Sequence, residues 1–345
     1  MKFLKQLTET AGVPGREERV RELIRRETKG LWDELSEDAM GNLIGLVKAA
    51  SRKRGQKEKA VIISCHLDQI GFYVRAIDEN GFLRLQHAGG FDTRNLFARR
   101  VKVLTSGGDL SGVLNPATKP IHVLPPEERK KVPEMSEFMV DLGLSAEEVK
   151  KQVRVGDPVV LEQTTVAVGN LVTGQAMDNR ISPWVALNAI RKVKGKNIYD
   201  IWFLGSAQEE VGVRGAQVAA QQLKAEVGIA IDVTLAVDTP GASKEEAISR
   251  LGDGVAIKVM DSFSISTRSL FEEFVALAER KKIKHQIEVL PMGGTDAGAL
   301  QRFGEPRRAI TLSVPCRYVH TVVETVHMDD LKSAAELLAA WLSGG

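Results

Sequence analysis

Apolar residues recur in two short amphipathic helical patterns at the start of the chain, separated by Pro14-Gly15; the second, over residues 16–29, is heavily charged. Residues 42–48 and 60–64 (AVIIS) then read as strands, the second apolar enough to be buried. Between about 70 and 163 the pattern shortens. Strand-like pieces at 71–76, 100–105, 112–115 and 158–162 are separated by Gly, Asp and Pro turns, and the one helical stretch, 145–152, is polar. That spacing predicts a small all-β unit. From about Asn197 onward strands alternate with helices: IWFLGSA, a helix from Gly215, GIAID, VAIKVM, a helix over 269–282, QIEVL, a short helix, AITLSVP and a last helix from Asp329. Such alternation indicates an α/β sheet covered by helices. The expected architecture is a discontinuous α/β domain, residues 1–69 plus 164–345, interrupted by a β domain over 70–163.

Charge and cysteine content exclude several function classes. The 345 residues carry 47 Lys+Arg against 45 Asp+Glu, a formal charge of +2, so neither a nucleic-acid nor a membrane partner is expected. The one dense basic run, 51–59 (SRKRGQKEK), reads as a solvated hairpin loop. The only two cysteines, Cys65 and Cys316, offer no disulfide framework and fit a reducing compartment. The opening MKFLKQLTETAGVPGREE lacks the apolar stretch of a signal peptide, and no run of about 18 apolar residues occurs. A cytoplasmic location is the expectation.

Candidate chemistry lies where polar residues fall relative to the strands. His66-Leu67-Asp68 follows AVIISC, Gln208-Glu209-Glu210 follows IWFLGSA, and Asp232 ends GIAI; Asp296 follows QIEVLPMGG, and His320 follows AITLSVPCRYV. Ligands bind outside the carboxyl ends of strands in open α/β sheets, and five segments bring carboxylates or imidazoles to that edge. Imidazole with carboxylate suits zinc, cobalt or manganese better than magnesium. Two divalent cations are balanced by Asp178, Glu210 and Asp232 together with one hydroxide. Glu209 is then available as a base, and Asp68 can accept the second imidazole N–H of His66 and orient the ring.

Each residue also has a plainer reading. His66 and His320 can be ordinary polar residues, Glu209-Glu210 a solvated loop, Asp232 a cap for the next turn, and Asp178-Asn179-Arg180 a turn before a helix at Pro183. Cys65 and Cys316 read as buried small hydrophobes, not ligands, and His87, His122, His285 and His327 as structural or surface residues. The loop 293–296 (GGTD) either lines a substrate pocket or caps a helix through Thr295 or Asp296.

The ordered set CHLDQIGF at 65–72, AMDNR at 176–180, QEEVGVRGA at 208–216, AIDVTLAVDTPG at 230–241, MGGTDAGAL at 292–300 and PCRYVHTVVE at 315–324 resembles the M42 metalloaminopeptidases, the tetrahedral (TET), glutamyl and deblocking aminopeptidases. The resemblance spans nearly the whole chain. It implies a zinc-exopeptidase-like α/β/α sandwich with an inserted β-barrel or PDZ-like domain that serves dimerisation, and assembly of dimers into a hollow dodecamer. It also implies two divalent metal ions, zinc or cobalt. Asp178 would bridge them, His66 and Asp232 completing one site and Glu210 and His320 the other. Glu209 would be the general base, Asp68 the orienting carboxylate, and short peptides the substrates. Gln69 stands where many relatives have Glu, Ser182 where Gly is frequent, and Ala98-Arg99 in place of a frequent Gly-Gln. Two other readings stand beside it. One is a glycoside hydrolase using Glu209 and Glu210 as paired carboxylates; the other is a non-catalytic protein that kept the fold.

Overall fold

Two faces of one sheet account for the apolar strands on either side of the β unit. In the strand Ala60–His66, Val61, Ile63 and Cys65 enter one core and Ile62 another; in Asp200–Ser206, Ile201 and Phe203 lie on one side and Leu204 on the other. Side chains alternate across a strand, so strands apolar at successive positions need helices on both faces. The first core is closed by helices Lys2–Glu9, Glu18–Glu27, Met177–Val193, Arg268–Lys281 and Met328–Leu342. The second is closed by Arg214–Gln222 and Asp296–Arg302. The result is an α/β/α sandwich. The computed structural model describes residues 1–50, 59–243 and 245–345, so all but the last residue of the basic run 51–59 lies outside the described residues.

Among the described residues the large sheet has 11 strands and mixed directions. At its centre Asp200–Ser206, Ala60–His66, Val227–Leu235 and Arg308–Arg317 run parallel in that spatial order. After Ala60–His66 the chain leaves for a closed barrel. Around it, in order, are Gly71–Ile77, Leu83–Ala88, Phe138–Asp141, Gly108–Pro116, Arg99–Thr105 and Pro158–Leu161. The barrel has a separate core built on residues such as Phe72, Leu85, Val101 and Phe138, and its closure removes exposed sheet edges. The strands Leu83–Ala88 and Phe138–Asp141 were not expected. The second buries only Phe138 and Val140, too short an alternation to stand out.

One irregularity of the sheet makes room for chemistry. Pairing between Ala60–His66 and Val227–Leu235 stops at Ser64–Ala230, while Val227–Leu235 stays paired with Arg308–Arg317 up to Leu235. Asp232 therefore does not end its strand or cap a turn, as expected. It lies within the strand, just past the point where the two neighbours part. The start of helix Met177–Val193 enters there, with Asp178 and Asn179 in non-helical conformations and a cis peptide bond between them. Asn179 Nδ2 donates to the Ile231 carbonyl at 2.9 Å, anchoring this segment one residue before Asp232.

Candidate metal centre and active site

Asp178 stands between two imidazoles. Its Oδ1 is 3.1 Å from His66 Nε2 and its Oδ2 is 3.3 Å from His320 Nε2. Asp232 Oδ1 lies 3.8 Å from His66 Nε2, and Glu210 Oε2 lies 3.3 Å from His320 Nε2. Two triads result, His66-Asp178-Asp232 and Asp178-Glu210-His320, with the donor atoms of each within 4.8 Å of one another and Asp178 common to both. Glu209 belongs to neither; its Oε2 is 3.9 Å from His66 Nε2.

The loops that carry these side chains are held in costly shapes. Ala176, Gln208, Val213 and His320 all have positive φ, from 50° to 62°, although none is glycine. A left-handed non-glycine residue costs on the order of 1 kcal/mol, more when β-branched like Val213, and persists only where its surroundings enforce it.

The packed charges of the cluster shift one another. Burial, and repulsion from Asp232 and Glu210, hold the Glu209 carboxyl well above the usual carboxylate range despite His66 nearby. Asp232 and Glu210 are raised for the same reason, burial first and the Asp178 charge next among the causes that raise them. Burial alone would strip His66 and His320 of protons, but the carboxylates around them outweigh it and push His320 up to about 12. Asp178 is held low, burial notwithstanding, by the two imidazoles. Glu210 Oε1 is buried without a hydrogen-bond partner. Four close carboxylates and an orphaned oxygen beside two imidazole nitrogens are a set that divalent cations would satisfy.

A layer of hydrogen bonds behind the donors sets their geometry. Asp68 lies just beyond the end of the strand Ala60–His66, with its carboxylate Oδ1 3.5 Å from His66 Nδ1. Its two oxygens also accept the backbone N–H groups of Glu209 and Glu210, each at 3.0 Å. Glu17, on the N-terminal segment, accepts from the backbone N–H of Gln208 at 3.1 Å. Burial, with Asp68 adding repulsion, raises Glu17 to about 7 against the backbone N–H groups that oppose it.

Glu324 was missed by sequence reasoning, although it closes the motif that contains His320. Its Oε2 accepts the backbone N–H of Asp178 at 3.0 Å, and its Oε1 accepts that of His320 at 2.7 Å. One buried side chain thus ties together two donors that are 142 positions apart in the chain. Leaving the buried Asp178 N–H unpaired costs about 1–3 kcal/mol, and the half-buried His320 N–H loses its partner as well. Glu324→Ala is therefore expected to weaken metal affinity by about 10- to 100-fold, read by competition with a chromogenic chelator. Wild-type affinity in that variant would show that the two backbones hold their places without it.

The donors open onto a cleft of about 460 Å³ that Gly293, Gly294 and Thr295 also line. Both expectations for that loop hold in part. Thr295 caps the helix Asp296–Arg302 by accepting from Ala297 N, yet the loop walls the cleft. Asp296 does not join the donors. It faces into the protein, where Oδ2 accepts from Ser64 Oγ at 2.6 Å and from Ser206 Oγ, so four of the five strand-end segments converge and the fifth does not. Gln69 accepts from Arg180 Nη2 at 3.1 Å and is buried. Cys65 and Cys316 are buried free thiols, and His327 caps the last helix.

A family model described as M42 glutamyl aminopeptidase matches residues 45–337. The chain belongs to the M42 peptidase family. Among M42-like proteins, it is 30% identical to lysyl aminopeptidase of Pyrococcus furiosus over 99% of this chain and 96% of that one. Aminopeptidase APDkam598 of the archaeon Desulfurococcus kamchatkensis superposes with a TM-score of 0.93 at 36% identity, covering 100% of this chain and 94% of that one. The TET1 peptidase of Pyrococcus horikoshii, which can assemble into a tetrahedron or a large octahedral shell, gives 0.88 at 32% identity, with 100% and 99% covered. A Thermotoga maritima structure titled endoglucanase gives 0.79 at 27% identity, with 98% and 96% covered. This M42 chain is accordingly a hydrolase of aminopeptidase type with the zinc-exopeptidase-like fold. Among the described residues no helix is long and apolar enough to cross a membrane.

Proposed function

We propose that the chain is a dinuclear-metal aminopeptidase that removes the N-terminal residue from short peptides. The observation that carries this reading is the Asp178 carboxylate, whose two oxygens each face a different imidazole within its own triad. His66 and Asp232 would hold one ion, Glu210 and His320 the other, with Asp178 between them. A pair of zinc or cobalt ions there would supply a lowered water pKa and polarisation of the scissile carbonyl. Glu209 takes a proton from the attacking water and returns it to the leaving amine nitrogen; Asp68 holds both the His66 ring and the Glu209-Glu210 backbone in register for that transfer. Further parts of the same proposal are the domain division 1–69 plus 164–345 and 70–163, with the barrel as a dimerisation module, a TET-like dodecamer, and residence in the cytoplasm.

Chelator-stripped protein is expected to lose aminopeptidase activity on chromogenic amides and to regain it with Zn²⁺ or Co²⁺ at two ions per chain. Activity that survives stripping, with no metal left by elemental analysis, would remove the metal from the proposal.

The similarity to an endoglucanase of Thermotoga maritima favours a second reading, glycoside hydrolysis by Glu209 and Glu210. The geometry supports it poorly. Both imidazoles face these carboxylates at 3.3–3.9 Å, and Phe263 is the only Phe, Tyr or Trp among the cleft's described lining residues on which a sugar could stack. Chelator-resistant release of reducing sugar from a β-glucan would establish that reading.

A further inference from the structure

We infer that the part of the cleft beyond the donors selects an uncharged, apolar N-terminal residue in the size range of Leu, Met or Phe; the inference rests on the aminopeptidase reading. If the α-amine and first carbonyl of a peptide lie at the donor cluster, the side chain of its first residue enters the remainder of the cleft. That remainder is walled by Val233, Leu235, Phe263, Leu290, Met292 and Val319. Outside the metal donors and Glu209, no Asp, Glu, Lys or Arg lines it among the described residues.

The charged groups behind this wall lie in the interior and do not line the cleft. Behind Thr234, Lys258 Nζ lies 2.9 Å from Glu288 Oε1, which also accepts from the Thr234 hydroxyl, and all three residues are buried. Asp261, the second carboxylate beside Lys258, accepts the backbone N–H groups of Phe263 and Ser264 through its Oδ1. A substrate ammonium or carboxylate entering the cleft would shed water without meeting a counter-charge at its surface. An aliphatic or aromatic side chain would exchange water for Leu290 and the Phe263 ring.

Phe263 is seated before any substrate arrives. A Cβ placed on Gly294 would fall 2.2 Å from two atoms of the Phe263 ring, and one on Gly298 would fall 2.8 Å from Phe263 Cβ. The two glycines let the aromatic side chain lie directly on the loop and on the first turn of the helix Asp296–Arg302. The Phe263 side of the wall is thereby fixed in place, which is what lets a pocket discriminate by size as well as by polarity.

The test uses the full chain loaded with Zn²⁺ or Co²⁺ and p-nitroanilides of Leu, Met, Phe, Ala, Lys and Glu. The best of Leu, Met and Phe is expected to exceed both Lys and Glu by at least about 10-fold in kcat/KM. Phe263→Ala is expected to lower the Leu-to-Ala ratio of kcat/KM by about 10-fold; a ratio within one preparation does not depend on the folded fraction. Lys or Glu as the preferred amide, or an unchanged ratio in the variant, would overturn the pocket assignment and leave the aminopeptidase reading standing. Hydrolysis of none of the six, nor of short peptides, by protein holding two ions would overturn both together.

Discussion

Glu209→Gln will lower the rate of hydrolysis by at least about 10²-fold while the protein keeps its full metal content. The two halves of that result have separate physical grounds. Glu209 lies outside both donor triads, so exchanging one oxygen for an amide leaves the ions their ligands. Its carboxylate can take a proton, and an amide of the same shape cannot. Its backbone N–H remains fixed by Asp68, so the variant side chain occupies the same place. Turnover of a Leu amide and elemental analysis on the same sample would check both halves. Full activity would remove the base from the proposal, and loss of metal would move Glu209 into the donor set.

Removing Asp178 should be more destructive, because it is the one donor common to both triads. Asp178→Ala is expected to weaken binding of both ions by more than the roughly 10- to 100-fold that losing a supporting residue costs, and activity should fall to background. It also leaves the His66 and His320 rings without the carboxylate that now lies 3.1 Å and 3.3 Å from them. His320→Ala, by contrast, opens only the triad that contains Glu210 and should cost one ion preferentially. Titration of stripped protein with Zn²⁺, followed calorimetrically, separates the cases. Two ions retained at normal affinity in Asp178→Ala would refute the shared-ligand geometry.

The N-terminal helices act at the same place through a different device. Arg180, fully buried, donates to the carbonyls of Leu7, Thr10 and Gly12 and to Gln69, two residues after Asp178 in sequence. Glu17 reaches the backbone of Gln208 from the next segment. Two short helices that read as little more than amphipathic cover thus brace the segments bearing Asp178 and Glu209. A long buried side chain has that reach, but its direction follows from packing and not from its neighbours in sequence.

Local sequence determined many of the elements and the residue types that reach the site. Periodicity marked the apolar strands and the helices that cover them, because burial on one or two faces leaves a repeat of 3.6 or 2 in the chain itself. The short, turn-rich stretch after residue 70 announced a β unit, and His66, Asp178, Glu209, Glu210, Asp232 and His320 were legible as an ordered set of candidate metal ligands and a candidate base. Tertiary structure alone decided which of them meet. Where the strands around Ser64 and Ala230 part company, why Asp178 faces both imidazoles, why Asp296 turns inward to Ser64 and Ser206, and how Glu324 ties two distant backbones all depend on atoms brought together from remote positions. The left-handed residues that aim the loops belong to the same class, since Gln208, Val213 and His320 have no local preference for positive φ strong enough to be read in advance. Periodicity records which side of an element is buried; it carries no record of what lies across the gap.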